Sequence, residues 1–566
     1  MKGTPINTVK AALLLPGLVL AAPAAWCQAA PDAGSILREE QQRPLQPQFA
    51  PPPRLQFDEP SRMPGAVPSD VRFVLKGFRI NGQSVYTEAE LLKLNQRLIG
   101  AEVDLADLEQ AAGRISRYYR EHGYVVARAY LPAQDIRNGI VEITVLEGRL
   151  GRVVIENRSR VKDAVVAAPL KALEGSIVRD EPIELKQRMT QQLAGVAVMQ
   201  PAELRPGQAV GETDLVLAIE PAPLATGSME FDNYSNPFTG SNRYSGQVNV
   251  FSPLRLGDLF SLRLTRGDPG LDLLLASYQL PLGPGGLRVG GDYTHTHYRL
   301  GRDFASLEAN GTAGIWRGFV SHPLYTSRSS AIVARLGYER KKLQDRVDAT
   351  ETVTDRSSGL TTLSINGDFR DGLGGGGITA VSLGYGIGDL DIQSPVAKAI
   401  DDLTARTNGG FRKWTLSATR LQQLSERLSL QLQYQGQQAS KNLDSSEKLS
   451  LGGVYGVRAY PQGEAPGDSG YVFNAELRYR MDIRGLAGTF QPLIFIDTGA
   501  VTVNKNPFVA GSSNRRHLSA AGFGLNWLQP GGFSLRVVIA GKLGNVRATS
   551  DTDRGMRAWL QAIQQF

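Results

Sequence analysis

The chain has 566 residues, 42% of them hydrophobic, which allows several folded units and excludes a disordered chain. Its mean hydropathy of −0.20 excludes a bundle of membrane helices, each needing an apolar run of about 20 residues, but not a membrane β-barrel, whose strands alternate lipid-facing and lumen-facing residues. The net charge of +7 is scattered rather than gathered in a basic run, so no nucleic-acid partner is expected.

Residues 1–30 read as a secretory signal peptide. Lys2 and Lys10 supply the positive start, Ala11 to Leu20 the apolar stretch, and small residues follow, with cleavage between Ala24 and Ala30. Pro16, Gly17 and Pro23 interrupt the run and argue against an anchor helix. Cys27, the one cysteine, lies in this segment, so the mature chain has no thiol for a disulfide or a metal. Residues 31–43 form a short polar helix capped by Asp32 or Ser35, with too little apolar surface for a core face; it belongs in solvent or in a polar cavity. Residues 44–70 are a linker, stiffened by Pro44, Pro47, Pro51, Pro52, Pro53, Pro60, Pro64 and Pro68.

Residues 71–148 read strand, helix, helix, strand, strand. Val71 to Ile80 is rich in branched residues. Thr87 to Glu90 is a capping box that opens a helix to about Leu98. Asp104 caps a second helix, with Leu108, Ala112, Ile115 and Tyr119 at helical spacing and Gly123 as its stop. Tyr124 to Leu131 and Ile140 to Leu146 alternate as strands. Residues 149–222 repeat that order, with a strand over Gly151 to Asn157, a helix after Asp180, and a final strand over Asp214 to Glu220.

Over residues 223–566 helical periodicity gives way to alternation, as in Leu428, Leu430, Leu432 and Tyr434, or Phe533, Leu535, Val537 and Ile539. The runs are about 9–11 residues long, enough for a tilted strand to cross a bilayer. Turns such as Gly283-Pro284-Gly285-Gly286 separate them. At roughly 21 residues per strand and connection, this predicts a transmembrane antiparallel β-barrel of about 16 strands.

Three motifs suggest chemistry and do not sustain it. Gly467-Asp468-Ser469-Gly470 matches a serine-protease nucleophile signature, but no histidine stands in a matching context upstream. Gly372 to Gly377 fits a dinucleotide fingerprint, yet Ile378 to Leu383 alternates as a strand where a helix is required. His295 and His297 share one strand face, but a closed metal site wants three or four ligands, so an exposed or lumenal pair is expected. No enzyme, metal or cofactor is predicted.

The stretch Leu451 to Pro461, with Val457, Arg458, Ala459 and Tyr460 at its centre, resembles the V-R-G-Y/F pore-loop motif of two-partner secretion transporters, the family of the filamentous haemagglutinin transporter and the haemolysin secretion/activation proteins. The likeness continues through Gly467-Asp468-Ser469-Gly470 and Glu476-Leu477. Phe495-Ile496-Asp497-Thr498-Gly499 resembles its second hallmark, F-x-D-x-G, on the barrel wall; Asp32 to Arg38 resembles its plug helix, and 71–148 and 149–222 its POTRA domains. The resemblance implies an outer-membrane protein with POTRA domains in the periplasm. They bind one large unfolded exoprotein, an adhesin, haemolysin or similar, which leaves through the barrel. Outer-membrane lipid and, during biogenesis, the barrel-assembly machinery are the further partners implied, with Phe566 as the assembly signal. Ala459 departs from the usual glycine and is expected to alter the loop tip. Phe566 shares a face with Gln564, Ala562, Leu560 and Ala558.

Alternation places Leu493, Phe495, Asp497 and Gly499 on one face of their strand and the apolar Ile494 and Ile496 on the other, so Asp497 should face the lumen. A lone carboxylate there wants a cation, and Arg458 is the candidate, a pairing the family also implies. Gating and mere stiffening of the barrel are both compatible with such a pair. The rival function is an outer-membrane protein assembly factor of the same superfamily; a porin lacks POTRA domains, and pore conductance would separate an interaction-only scaffold from all of these.

Overall fold

The structure, a computed structural model, describes residues 30–41, 55–56, 71–136, 138–197, 202–268, 270–509, 511 and 513–566. The expected signal peptide up to residue 29 and most of the linker lie outside the described residues.

The first α+β unit is built on two capping boxes. Thr87 and Glu90 cap the helix Glu88–Lys93, and Asp104 and Asp107 cap Leu105–Glu121. The long helix buries Leu108, Ala112, Ile115 and Tyr119 against Phe78, Ile80, Val141 and Ile143 of the sheet. In that sheet Gly77–Asn81 runs parallel to Ile140–Leu146, which pairs antiparallel with Arg128–Tyr130. The helix expected to reach Leu98 ends at Lys93. Asn95 leaves the helical region (φ −120°, ψ 10°) and its side-chain amide donates to Ala111 O at 3.0 Å, after which a 3₁₀ turn covers Gln96–Leu98. The strand expected from Tyr124 narrows to Arg128–Tyr130 because Ala127 N turns back onto Tyr124 O. Glu147 pins the turn before the first helix by accepting from Ser84 N at 2.6 Å, Val85 N at 2.8 Å and the Tyr119 hydroxyl at 2.9 Å. Burial alone raises a carboxyl pKa, but the hydrogen bonds from Ser84, Val85 and Tyr119 outweigh it and hold Glu147 below its ordinary range.

The second unit repeats the plan. Arg149–Asn157 runs parallel to Glu212–Ile219, which pairs with Ala202–Pro206, and Leu55–Gln56 adds alongside the last in parallel. Its helices are Asp163–Lys171, which periodicity did not reveal, and Asp180–Gln191. The latter rests on one end of the barrel. Arg328 pairs with Asp180 at 2.7 Å and Glu184 at 2.5 Å, Arg188 donates to Ser327 O at 2.6 Å, and Arg288 donates to Gln192 O at 2.9 Å.

The barrel is closed and antiparallel. Sixteen strands run from Ala225–Asp232 to Met556–Gln565, each pairing with its sequence neighbour; Ser469–Tyr479 and Met481–Asp482 count as one strand interrupted at Arg480. First and last strands meet from Ser228↔Gln565 to Asp232↔Gln561. Ile494 and Ile496 are exposed on the outer wall, whereas Leu493, Phe495 and Asp497 are buried inside. Several strands exceed the expected length, reaching 18 residues in Ala309–Thr326 and 20 in Thr352–Asp371. At about 3.3 Å per residue and a tilt of about 45°, such strands rise about 42–47 Å along the barrel axis, more than the roughly 30 Å a bilayer crossing needs, and the excess lies at the end away from the α+β units.

Candidate functional site: the filled lumen

Between the strands Leu428–Ala439 and Ser469–Tyr479 the chain does not stay outside. Residues 440–468 fold back into the barrel and are buried along most of their length. A two-residue ladder, Leu449–Ser450 with Pro466–Gly467, closes the loop's base. At its tip Val457, Ala459 and Tyr460 pack against Leu493, Phe495 and Trp559 of the wall. Tyr460 is fully buried and its hydroxyl donates to Val546 O at 3.0 Å. Ala459 is fully buried and does not adopt a positive φ, so its methyl group sits in the tip without backbone strain. Gly499 faces the loop closely, since a Cβ there would lie 3.0 Å from a Leu451 methyl and 2.9 Å from Tyr471 O.

Arg458 is held on every side. Its Nε donates to Asp497 Oδ2 at 2.9 Å and its Nη2 to Oδ1 at 2.7 Å, a forked pair, while its backbone N also donates to Oδ2 at 3.1 Å. Its guanidinium carbon lies 3.4 Å from the Phe495 ring centroid. The third arm, Nη1, donates to Glu476 Oε2 at 2.6 Å. Glu476 in turn accepts from Arg478 at 2.7 Å and from Arg536 at 2.8 Å. Asn474 donates to Asp497 Oδ1 and to Gly456 O, both at 2.8 Å, and the Trp559 indole donates to Arg458 O at 2.7 Å. Asp497 is therefore not the lone acid that sequence reasoning supposed. Glu476, Asn474, Arg536 and Trp559 were missed as partners, although Asn474, Glu476 and Arg478 stood together on the polar face of their strand.

The helix Ala33–Gln41 occupies the lumen beside this loop. The Asp32 carboxylate accepts from Ser35 N at 2.9 Å and caps it. Contrary to the expectation of a helix without a core face, Ile36 and Leu37 are buried against Phe238, Leu271, Tyr298 and Leu300. The rest of its attachment is polar. Arg356 binds Asp32 at 2.8 Å, Asp345 of the wall at 2.5 Å and Asp444 of the loop at 2.5 Å, so one guanidinium ties three elements. Glu40 pairs with Arg243 at 2.5 Å. Glu39 faces Asn236, which donates to it at 3.2 Å and 3.3 Å, and burial pushes its carboxyl up to about 8. The loop has a matching anchor in Glu447, which meets Lys341 and Lys413 at 2.5 Å each.

The remaining motifs fall elsewhere. Asp468, fully buried, accepts from Leu443 N at 3.0 Å, Lys505 N at 2.8 Å and Lys448 Nζ at 2.7 Å; it braces the loop base rather than orienting a nucleophile. Leu373–Gly375 is a 3₁₀ turn before the strand Gly377–Ile392. His295 and His297 are exposed on the outer wall. Phe566 exchanges backbone hydrogen bonds with Gly227 at 2.7 Å and 3.0 Å, and its ring lies over that glycine at the barrel seam.

Residues 211–527 match the family model described as "Haemolysin secretion/activation protein ShlB/FhaC/HecB". The chain belongs to this family. Residues 73–148 match the ShlB-type POTRA domain. The heme/hemopexin transporter protein HuxB of Haemophilus influenzae (strain 86-028NP) is 27% identical over 580 residues, covering 100% of both chains. The outer membrane transporter CdiB of Dickeya dadantii is 24% identical over 72% of each. Among solved structures, CdiB from Escherichia coli superimposes with a TM-score of 0.70 at 20% identity, over 94% of this chain and 96% of that one. BamA from Haemophilus ducreyi reaches 0.51 at 14% identity, over 87% and 100%, a likeness of fold. This haemolysin secretion/activation family member is thus a two-partner secretion transporter of the outer membrane, with its POTRA domains in the periplasm.

Proposed function

We propose that the barrel rests closed, shut by the helix Ala33–Gln41 and the loop 440–468, and opens when both leave the lumen to let an unfolded exoprotein pass. One observation carries this reading: beside the apolar packing of Ile36, Leu37, Val457 and Tyr460, the two segments filling the pore are tied to the wall by ion pairs, Asp32–Arg356, Glu40–Arg243 and Arg458–Asp497. Charges removed from a confined lumen are rehydrated by the water that replaces the segments, so such contacts release at a smaller cost than a continuous apolar core. The Arg458–Asp497 pair is then a latch as well as a brace.

The POTRA domains capture the exoprotein in extended form, as a strand added to a sheet edge; Gly77–Asn81 and Arg128–Tyr130 are the edges of the first unit's three-stranded sheet. The transporter performs no catalysis of its own, and folding of the exported chain outside supplies the pull. Outer-membrane lipid surrounds the wall, and Phe566 at the seam serves as the mark read by the barrel-assembly machinery. The test has two arms. Deleting residues 32–43 should raise single-channel conductance in planar bilayers while leaving a heat-modifiable barrel. Deleting residues 71–148 should abolish secretion of the exoprotein without loss of the barrel. Unchanged conductance in the first variant refutes the plug, and normal secretion in the second refutes capture by POTRA.

A further inference from the structure

The histidine pair that found no role in the lumen lies on the outer wall, where the register builds a site around it. His295 stands opposite Gly314, and Gly314 opposite Lys342. One pair lower, Tyr293 stands opposite Trp316 and Trp316 opposite Arg340; higher up, Arg299 and Arg346 flank Asn310. With strands about 4.8 Å apart, His295 and Lys342 face each other over about 10 Å. The floor between them is open, because a Cβ on Gly314 would meet nothing nearer than the Tyr293 hydroxyl, 4.0 Å away. The result is a shallow trough with basic walls and an aromatic lower edge.

His295, His297, Arg299, Arg340, Lys342 and Arg346 are all exposed, and among the described residues none of them forms a salt bridge, although Arg340 Nη2 donates to Ser357 Oγ at 3.3 Å. Three carboxylates nearby are engaged: Asp355 accepts from Gln344 at 2.8 Å, Asp348 from Asn310 at 2.9 Å, and Asp272, opposite His297, lies 3.7 Å from Arg266; the exposed Asp389 stands across Gly359 from Arg340, on the side away from Gly314. The strand Leu287–Arg299 begins at the POTRA end, where Arg288 meets Gln192, so the trough lies towards the cell surface. Tyr293 and Trp316 pack with ring centroids 4.3 Å apart, and Tyr385 and Trp414 do so at 4.5 Å further round the wall. Such rings mark the level where hydrocarbon gives way to headgroups. Below them the wall turns apolar and exposed, with Val320 and Leu336 facing outward.

We propose that this trough binds the phosphate of an outer-leaflet lipid headgroup. The phosphate sits over Gly314 between His295, Lys342 and Arg340, and the acyl chains run down the wall past Trp316, Val320 and Leu336. Charge complementarity selects the phosphate; continuity with the apolar wall selects a lipid over a free anion. The proposal rests on the outer-membrane placement but not on the opening of the pore.

The test uses the purified full chain in detergent micelles doped with a bisphosphorylated glycolipid, its dephosphorylated counterpart, or inorganic phosphate in solution. Native mass spectrometry counts retained lipid, and titration gives the affinity. The phosphorylated lipid should be retained and the dephosphorylated one lost. Each basic group near an anionic surface contributes about 1 kcal/mol, or about fivefold, so Arg340→Ala with Lys342→Ala should weaken binding about 25-fold. Gly314→Leu should weaken it with the charge unchanged, by filling the floor; the charge variant carries the test by itself if this barrel fails to fold. Conductance should match that of the parent in both variants, which separates this site from the pore. Equal retention of the dephosphorylated lipid, or undiminished binding by the Arg340/Lys342 variant, overturns the proposal. So does complete competition by inorganic phosphate at the lipid's own concentration, which makes the trough a free-anion site.

Discussion

Arg458→Ala and Asp497→Ala remove the two ends of one ion pair, yet the surroundings make them unequal. In Arg458→Ala the docked loop still covers Asp497, which is fully buried and keeps only Asn474 Nδ2 and the residue-458 backbone N as donors. Stranding a buried charge in this way costs about 3–5 kcal/mol. With the loop displaced, Asp497 meets lumen water and the cost vanishes, so the whole penalty falls on the docked state. In Asp497→Ala the buried arginine loses three hydrogen bonds to the carboxylate, from Nε, Nη2 and its backbone N, but its guanidinium retains Glu476 at 2.6 Å and the Phe495 ring at 3.4 Å. Its penalty is smaller, about 2–3 kcal/mol. The difference of about 1–2 kcal/mol predicts an open population roughly 5–30-fold larger in Arg458→Ala than in Asp497→Ala. Removing both leaves no stranded charge, so the double variant should open less than the sum of the two penalties implies, with a coupling of about 2–3 kcal/mol. Arg458→Lys keeps the charge without the fork and should fall between parent and Arg458→Ala. Open probability of the purified full chain in planar bilayers measures all four. Parent-like gating in Arg458→Ala, a more open Asp497→Ala, or strictly additive penalties would refute the reasoning.

Arg356→Ala leaves Asp32, Asp345 and Asp444 facing one another without their cation, so plug and loop should loosen together; a rise in conductance no larger than that of Glu40→Gln would count against Arg356 as the shared tie. Glu39, beside Glu40, Asp32 and Arg243, has its carboxyl pushed up to about 8 in the docked helix against an ordinary 4.5, so the docked state binds the proton more tightly. Plug docking is thus strongest at low pH and weakens by roughly 3–5 kcal/mol as pH rises from the ordinary carboxylate range through about 8; conductance should climb over that window, and Glu39→Gln should flatten the climb. Glu147 has the opposite sign, since its pKa is depressed. Its contribution to the first POTRA domain is present above the ordinary carboxylate range and lost as pH falls through its lowered value, which thermal unfolding of the full chain with and without Glu147→Gln would register.

Patterns that live within a few residues of sequence were legible. Alternation marked the barrel, and Thr87–Glu90 and Asp104 marked helix starts that the structure retains. The face of Asp497 followed from its strand alone. What escaped was set by partners far along the chain or by local competition. The helix Glu88–Lys93 stopped early because Asn95 bonds a residue 16 positions away, and Ile36 and Leu37 became a core face only because Phe238, Leu271 and Tyr298 surround them.

The amino-acid sequence by itself determined the class of most of the large elements, though not the helix Asp163–Lys171, because strand and helix periodicities are short-range consequences of side-chain spacing. It also determined which strand faces are polar. Barrel closure decided the rest. Only once the wall is complete do Arg356 and Asp32 meet across 324 residues, Arg536 reach Glu476 across 60, and His295 line up with Lys342 over Gly314. Charge pairs in a lumen form wherever register brings opposite signs within hydrogen-bond reach, and register is a property of the closed sheet rather than of any one strand.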